Sequence, residues 1–162
     1  METLKISSKA FEEGGNIPPR YTCDGDDVSP LLRIQGIPEK AKTLVLIMDD
    51  PDIPDSVKQS RGIDVFDHWV KWDIPVTGDT MIFEEGQEPS GVSGKNSSGE
   101  LSYHGPCPPD REHRYFFKIY ALDSELGLKE GASQKEVERA MQGHIIASGG
   151  LMGRYNRQKV VK

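Results

Sequence analysis

Three short stretches carry the residues that could do chemistry. DDPDIPD, positions 49–55, packs four carboxylates into seven residues, and these repel one another unless something neutralises them. A lone histidine, His68, opens HWVKWDIP. The third stretch is LSYHGPCPPDREHRY, positions 101–115. There Gly105, Pro106, Pro108 and Pro109 surround Cys107, and His104 and His113 flank them. Backbone of that stiffness holds something at a fixed place. An aspartate beside a histidine fixes the ring tautomer and raises its pKa. Asp50 or Asp52 paired with His68 or His113 would therefore make an oriented, cationic donor. Prolines have no N–H, so the few donors left near Gly105 and Cys107 would form a small anion nest.

Other chemistries fit less well. Two Asp and two His suit zinc or manganese by ligand type, but no pair has the i, i+4 spacing of a helical metal motif, and no metal site or cofactor is expected. Cys107 beside His104 or His113 has the makings of a nucleophile and base. Its preferred reading is a small apolar residue packed between prolines. Ser148 in ASGGLMG lacks the G-x-S-x-G elbow. A hydrolase using an Asp–His pair is thus the weaker alternative, and the chain is expected not to be an enzyme. Taken alone, DPDIP reads as a solvated acidic turn.

The elements around these residues decide whether they meet. KTLVLIMDD is a continuous apolar run bounded by charge, which predicts a buried strand ending at Asp49 and Asp50. HWVKWDIP alternates, with Val70, Trp72 and Ile74 on one face and Trp69, Lys71 and Asp73 on the other. HRYFFKIYALD, beginning at His113, has the densest aromatic and β-branched content. LKISSKAF is an expected edge strand, LLRIQG a short strand, and HIIASGGLMGRY a return to strand. GGNIPPRYTCDGDDVSP and positions 84–100 read as loops. Ser133 and Glu136 form a capping box, which predicts a helix near 133–143. Its buried stripe would be Val137, Ala140, Met141 and either His144 or Ile145. Asp50, His68 and His113 each end or begin a strand, so they are expected to converge at one sheet edge. A cis Ile53–Pro54 bond is expected to make the turn that aims Asp50 and Asp52 inward.

The whole chain, 1–162, reads as one mainly β domain with one or two short helices, sandwich-like, because 17 Gly and 11 Pro favour many turns. A net charge of −6 argues against nucleic acid and against an anionic membrane surface. The N-terminus shows no apolar signal segment and no run approaches a membrane span, so a cytoplasmic location is expected. Cys23 and Cys107 lack metal-type spacing and are expected to be free thiols, with a disulfide the less favoured reading.

DDPDIP, HWVKWDIP and YHGPCPPDREHRYFFKIYAL, in that order, resemble the phosphatidylethanolamine-binding protein family. The bacterial and archaeal, Raf-kinase-inhibitor-like branch is the nearest in pattern. PPRYTCDGDDVSP and GRYNR are similar to that branch too. The resemblance implies a sandwich of Greek-key-like antiparallel sheets with a pre-formed pocket for phosphate, acetate or a phospholipid head group. Residue by residue it implies Asp50, Asp52, His68, Gly105, His113 and Tyr115 as ligand-binding, with Tyr103, Pro54 and Cys107 at the rim. It also implies a homodimer, and offers inhibition of a kinase or protease as the alternative function. Two departures stand out. Asp73 occupies a position where family members often carry Asn, which would add negative charge below the pocket. The chain also stops soon after GRYNR, short of the C-terminal helix of the longer animal members.

Overall fold

The run TLVLIMDD becomes the centre of the molecule. In the computed structural model, which describes residues 2–157, the chain forms β1 (Glu2–Thr3), β2 (Lys5–Ser7), β3 (Leu32–Gln35), β4 (Thr43–Asp50), α1 (Asp55–Arg61), β5 (Phe66–Pro75), β6 (Thr80–Phe83), β7 (Val92–Ser93), β8 (His113–Leu122), α2 (Gln134–Met141) and β9 (Ile145–Tyr155). A six-stranded sheet has the order β1-β9-β8-β4-β5-β7, and a three-stranded sheet the order β2-β3-β6. All pairings between named strands are antiparallel except that of β1 with β9, which makes the larger sheet mixed rather than purely antiparallel.

Both faces of β4 are covered, which explains its uninterrupted apolar run. Leu44, Leu46 and Met48 pack with Phe117, Trp69 and the small sheet's Leu32, Ile34 and Phe83. Val45 and Ile47 pack on the other face with Val70, Trp72, Val137 and Met141 of α2. The helix begins at the expected capping box, with Ser133 Oγ accepting from the Glu136 N–H. Val137 and Met141 are buried as expected, whereas Ala140 is half-buried. His144 is exposed and pairs with Asp123, and Ile145 already belongs to β9.

The expected alternation of β5 holds only in its middle. Leu44 faces Ile74 while Leu46 faces Lys71, so β5 carries one extra residue there. Asp73 takes a positive φ of 52° in that bulge, and its carboxylate accepts the Leu126 and Gly127 N–H groups. Ile74 therefore joins Trp69 on the small-sheet side rather than Val70 and Trp72. Asp73 thus caps a loop at the far end of β5 and adds no charge beneath the pocket. Asn suits the same position, because both side chains tolerate the left-handed region and both accept hydrogen bonds. The loop expected over 84–100 contains the short β7, and α1 and β6 had no sequence expectation attached to them.

Candidate functional site

Topology gathers the site. β4 lies between β8 and β5 and runs antiparallel to both. The C-terminal end of β4 therefore meets the N-terminal ends of its neighbours. This places Asp50, His68 and His113 together although 63 positions separate the first from the last. A second bulge makes the aim possible. Met48 faces Trp69 but Asp49 faces Asp67, which leaves His68 as the extra residue. Consecutive His68 and Trp69 then both lie on the small-sheet side, where the His68 ring meets the edge of Tyr115 at 5.3 Å and Trp69 joins the core.

A cavity of about 170 Å³ opens at this edge. Asp50, His68, His113 and Tyr115 form its polar wall, and Ile53, Pro54, Val57, Phe66, Pro108 and Pro109 its apolar wall. His104 and Cys107 complete it. Of the residues expected here, Asp50, Pro54, His68, Cys107, His113 and Tyr115 line the cavity. Asp52, Gly105 and Tyr103 do not. Asp52 turns outward into a two-pronged pair with Arg114 at 2.8 and 2.9 Å, which lowers its pKa to about 2. The Gly105 N–H is already given to Asp27 Oδ1 at 2.8 Å, so the expected nest has no free donor at that position. A side chain there would meet the Asp27 carboxylate and the Tyr21 carbonyl, which explains the glycine. The Tyr103 hydroxyl donates to the Tyr21 carbonyl at 2.7 Å, and its ring stands edge-on to Trp69.

The stiff 101–115 segment is clamped to the loop around Tyr21–Asp27. Besides the Tyr103 and Gly105 bonds, the Cys23 N–H donates to the Pro106 carbonyl, and Cys23 and Cys107 form a disulfide. The expectation of free thiols is thereby corrected, and with it any nucleophilic role for Cys107. The two cysteines are 84 positions apart, and spacing alone says nothing about such a pairing. The cis Ile53–Pro54 bond is likewise absent among the described residues. The turn is made instead by the Asp52 N–H donating to Asp50 Oδ1, after which Pro54 leads into α1.

Of the two histidines offered for the expected pair, His113 meets Asp50 and His68 does not. His68 is 4% exposed and donates its Nδ1–H to the His104 carbonyl at 2.6 Å. Burial pushes its pKa down to about 3, so the ring is neutral and its Nε2 is a bare acceptor. His113, 1% exposed, has Nδ1 at 2.6 Å from Asp50 and Nε2 at 2.7 Å from Asp110. Two ring protons, or one ring proton and one carboxyl proton, satisfy that arrangement. Burial raises the pKa of Asp50 against the opposing effect of the His113 bond. Burial also raises that of the Tyr115 phenol, so Tyr115 keeps its proton.

Sequence reasoning missed Phe66, Ile53, Val57, Pro108 and Pro109 as cavity walls, and Asp110 as the second partner of His113. Their adjacency to the motif residues was the available signal.

Across the sheet from His68 lies a carboxylate with a different fate. Asp67 Oδ1 is buried without a hydrogen-bond partner among the described residues, and burial, then Asp49 and Glu138, push its pKa to about 7. A raised carboxyl pKa means that the unfolded chain releases the proton first. Stability is therefore lost as pH rises from about 4 through 7. Asp67→Asn is expected to stabilise the protein by about 2 kcal/mol at pH 8, discounted for partial exposure, and by little at pH 5. Melting curves of both proteins across this range are the check, and equal shifts at both pH values would refute it.

Comparison with known proteins agrees with this fold. The profile of the family described as phosphatidylethanolamine-binding protein matches residues 7–156. A UPF0098 protein of Methanothermobacter thermautotrophicus is 46% identical over 95% of this chain and 99% of its own length. One from Archaeoglobus fulgidus is 43% identical over 98% of this chain, which spans 53% of that relative. A crystal structure of a phosphatidylethanolamine-binding protein homolog from Chlamydia trachomatis superposes with a TM-score of 0.88 at 39% identity, covering 98% of this chain and 100% of that one. Escherichia coli YbcL shares the fold, with a TM-score of 0.82 at 24% identity over 96% of this chain and 99% of its own. With the motifs, the sheet order and the profile in agreement, the chain belongs to the phosphatidylethanolamine-binding protein family.

Proposed function

We propose that this protein binds small oxyanions, such as singly protonated phosphate monoesters and carboxylates of head-group size, and that it binds them without chemical conversion. The observation that carries this reading is that neutral His68, its Nδ1 already on the His104 carbonyl, and protonated Tyr115 line one cavity with their rings 5.3 Å apart. A neutral imidazole acceptor needs a donor, and a phenol donates to an anionic oxygen. A singly protonated phosphate ester supplies both. Among the described residues no Lys or Arg lines the cavity. A dianion would meet Asp50 there at a cost of roughly 4 kcal/mol for a close pair at an effective dielectric near 20. The volume equals that of about six liquid waters at ~30 Å³ each, which suits a phosphate or carboxylate with a short tail.

The pH dependence follows from the ligand. His68 stays neutral at any pH well above about 3, so it contributes no charge between pH 5 and 8. A phosphate monoester loses its second proton near pH 6, so affinity is expected to fall at least about tenfold between pH 5.5 and 8. Calorimetry with O-phosphoethanolamine and inorganic phosphate at both pH values tests this. Tyr115→Phe should weaken binding about five- to tenfold at pH 5.5. Absence of binding, affinity that rises with pH, or an indifferent Tyr115→Phe would overturn the reading. Inhibition of a partner protein is not favoured by any feature of the site.

A further inference from the structure

The second partner of His113 is an unusual one. Asp110 belongs to the short run Pro108–Glu112 that bridges the disulfide-anchored Cys107 and the first residue of β8. Its side chain is 39% exposed, while the ring it touches is 1% exposed. The contact reaches His113 Nε2 from the solvent side, with the Asp50 bond on Nδ1 holding the ring from the core side. The His113 bond lowers the Asp110 pKa, so the group is an ionised carboxylate.

Resting on the oxyanion reading above, we infer that Asp110 is a built-in competitor: its carboxylate occupies on His113 Nε2 the place an incoming oxyanion takes, and it leaves for water when ligand binds. The exchange is nearly even in hydrogen bonds. The buried Nε2 trades one anionic oxygen for another and is never left unpaired, which would be the costly state. The departing Asp110 is received by solvent and by Arg111, whose N–H and guanidinium already touch it. Only the exposed end of the run has to move, because Cys107 stays tied to Cys23. Asp110 therefore sets the threshold for binding: ligands with one strong acceptor oxygen displace it, and neutral ligands such as alcohols do not.

The test uses acetate, inorganic phosphate and ethanol as probes on the intact protein. Removing the competitor in Asp110→Ala is expected to tighten acetate and phosphate binding about tenfold at pH 5.5. Asp110→Asn should fall between, because a neutral amide oxygen accepts more weakly. Imidazole proton and nitrogen NMR of His113 supplies a readout independent of affinity. In the unmodified protein acetate should shift the Nε2 signal little, one carboxylate replacing another. In Asp110→Ala the signal should be altered without ligand and restored by acetate. Equal or weaker binding by Asp110→Ala, with the unmodified protein still binding, would overturn the inference alone. Loss of binding in all three proteins would overturn the oxyanion reading as well, and an Nε2 signal unchanged by Asp110→Ala would show that the contact does not exist in solution.

Discussion

Opening the Cys23–Cys107 bond, by reduction or in the Cys23→Ser/Cys107→Ser double variant, is expected to lower the melting temperature by about 5–15 °C. The bond closes a loop spanning 84 positions. Chain-entropy arguments give about 4–5 kcal/mol as the upper end for such a loop, and about 2–4 kcal/mol is typical. At this chain length each kcal/mol corresponds to roughly 2–4 °C. The expected loss is below the upper end for a structural reason. The Tyr103, Gly105 and Cys23 hydrogen bonds still join the two loops after reduction. Calorimetric scans with and without reductant, plus the double variant, check it. A melting temperature unchanged by either treatment would show that the cysteines are unpaired.

The second large effect concerns the buried pair under the cavity. His113→Ala is expected to destabilise the protein by about 3–5 kcal/mol at pH 7, because it strands Asp50 in the interior. Asp50 is 3% exposed, and its remaining hydrogen bond comes from the Asp52 N–H. Burial already raises the Asp50 pKa, and losing His113 raises it further. The sign follows from the direction of that shift. In the variant Asp50 takes up a proton as pH falls, and the penalty shrinks with it. The loss should therefore be smaller at pH 5 than at pH 7. Asp52→Asn is the contrasting case, since its partner Arg114 is half exposed, and it should cost no more than about 1 kcal/mol. Urea unfolding of both variants at both pH values decides the matter. A His113→Ala loss below that of Asp52→Asn would mean that Asp50 is not buried with its charge.

Much of the site was legible because it rides on strand ends. An apolar run stopping at Asp49 and Asp50, an alternating run opening at His68, and an aromatic run opening at His113 locate three polar side chains where strands begin or end. Three antiparallel neighbours are enough to bring them together. The family motifs pointed to Tyr115 and Pro54, and both line the cavity. The capping box at Ser133 was local chemistry, readable from four residues.

What remained hidden depended on contacts between distant segments. The chain pattern placed Ile74 with Val70 and Trp72, but a single extra residue at Asp73 reverses its face, and nothing in a period of two announces a bulge. Asp52 looked equivalent to Asp50, yet Arg114 draws it outward. Gly105 looked like an anion donor, yet Asp27, 78 positions away, takes its N–H. The cysteines looked free because a separation of 84 positions carries no pairing signal, and only the docking of two loops brings their Cα atoms to 5.5 Å. Charge was the deepest omission. The sequence determined that aspartates and histidines would share a site. Whether His68 would be cationic depended on how much water the fold leaves around it, and burial that only the packed strands impose makes it a neutral acceptor.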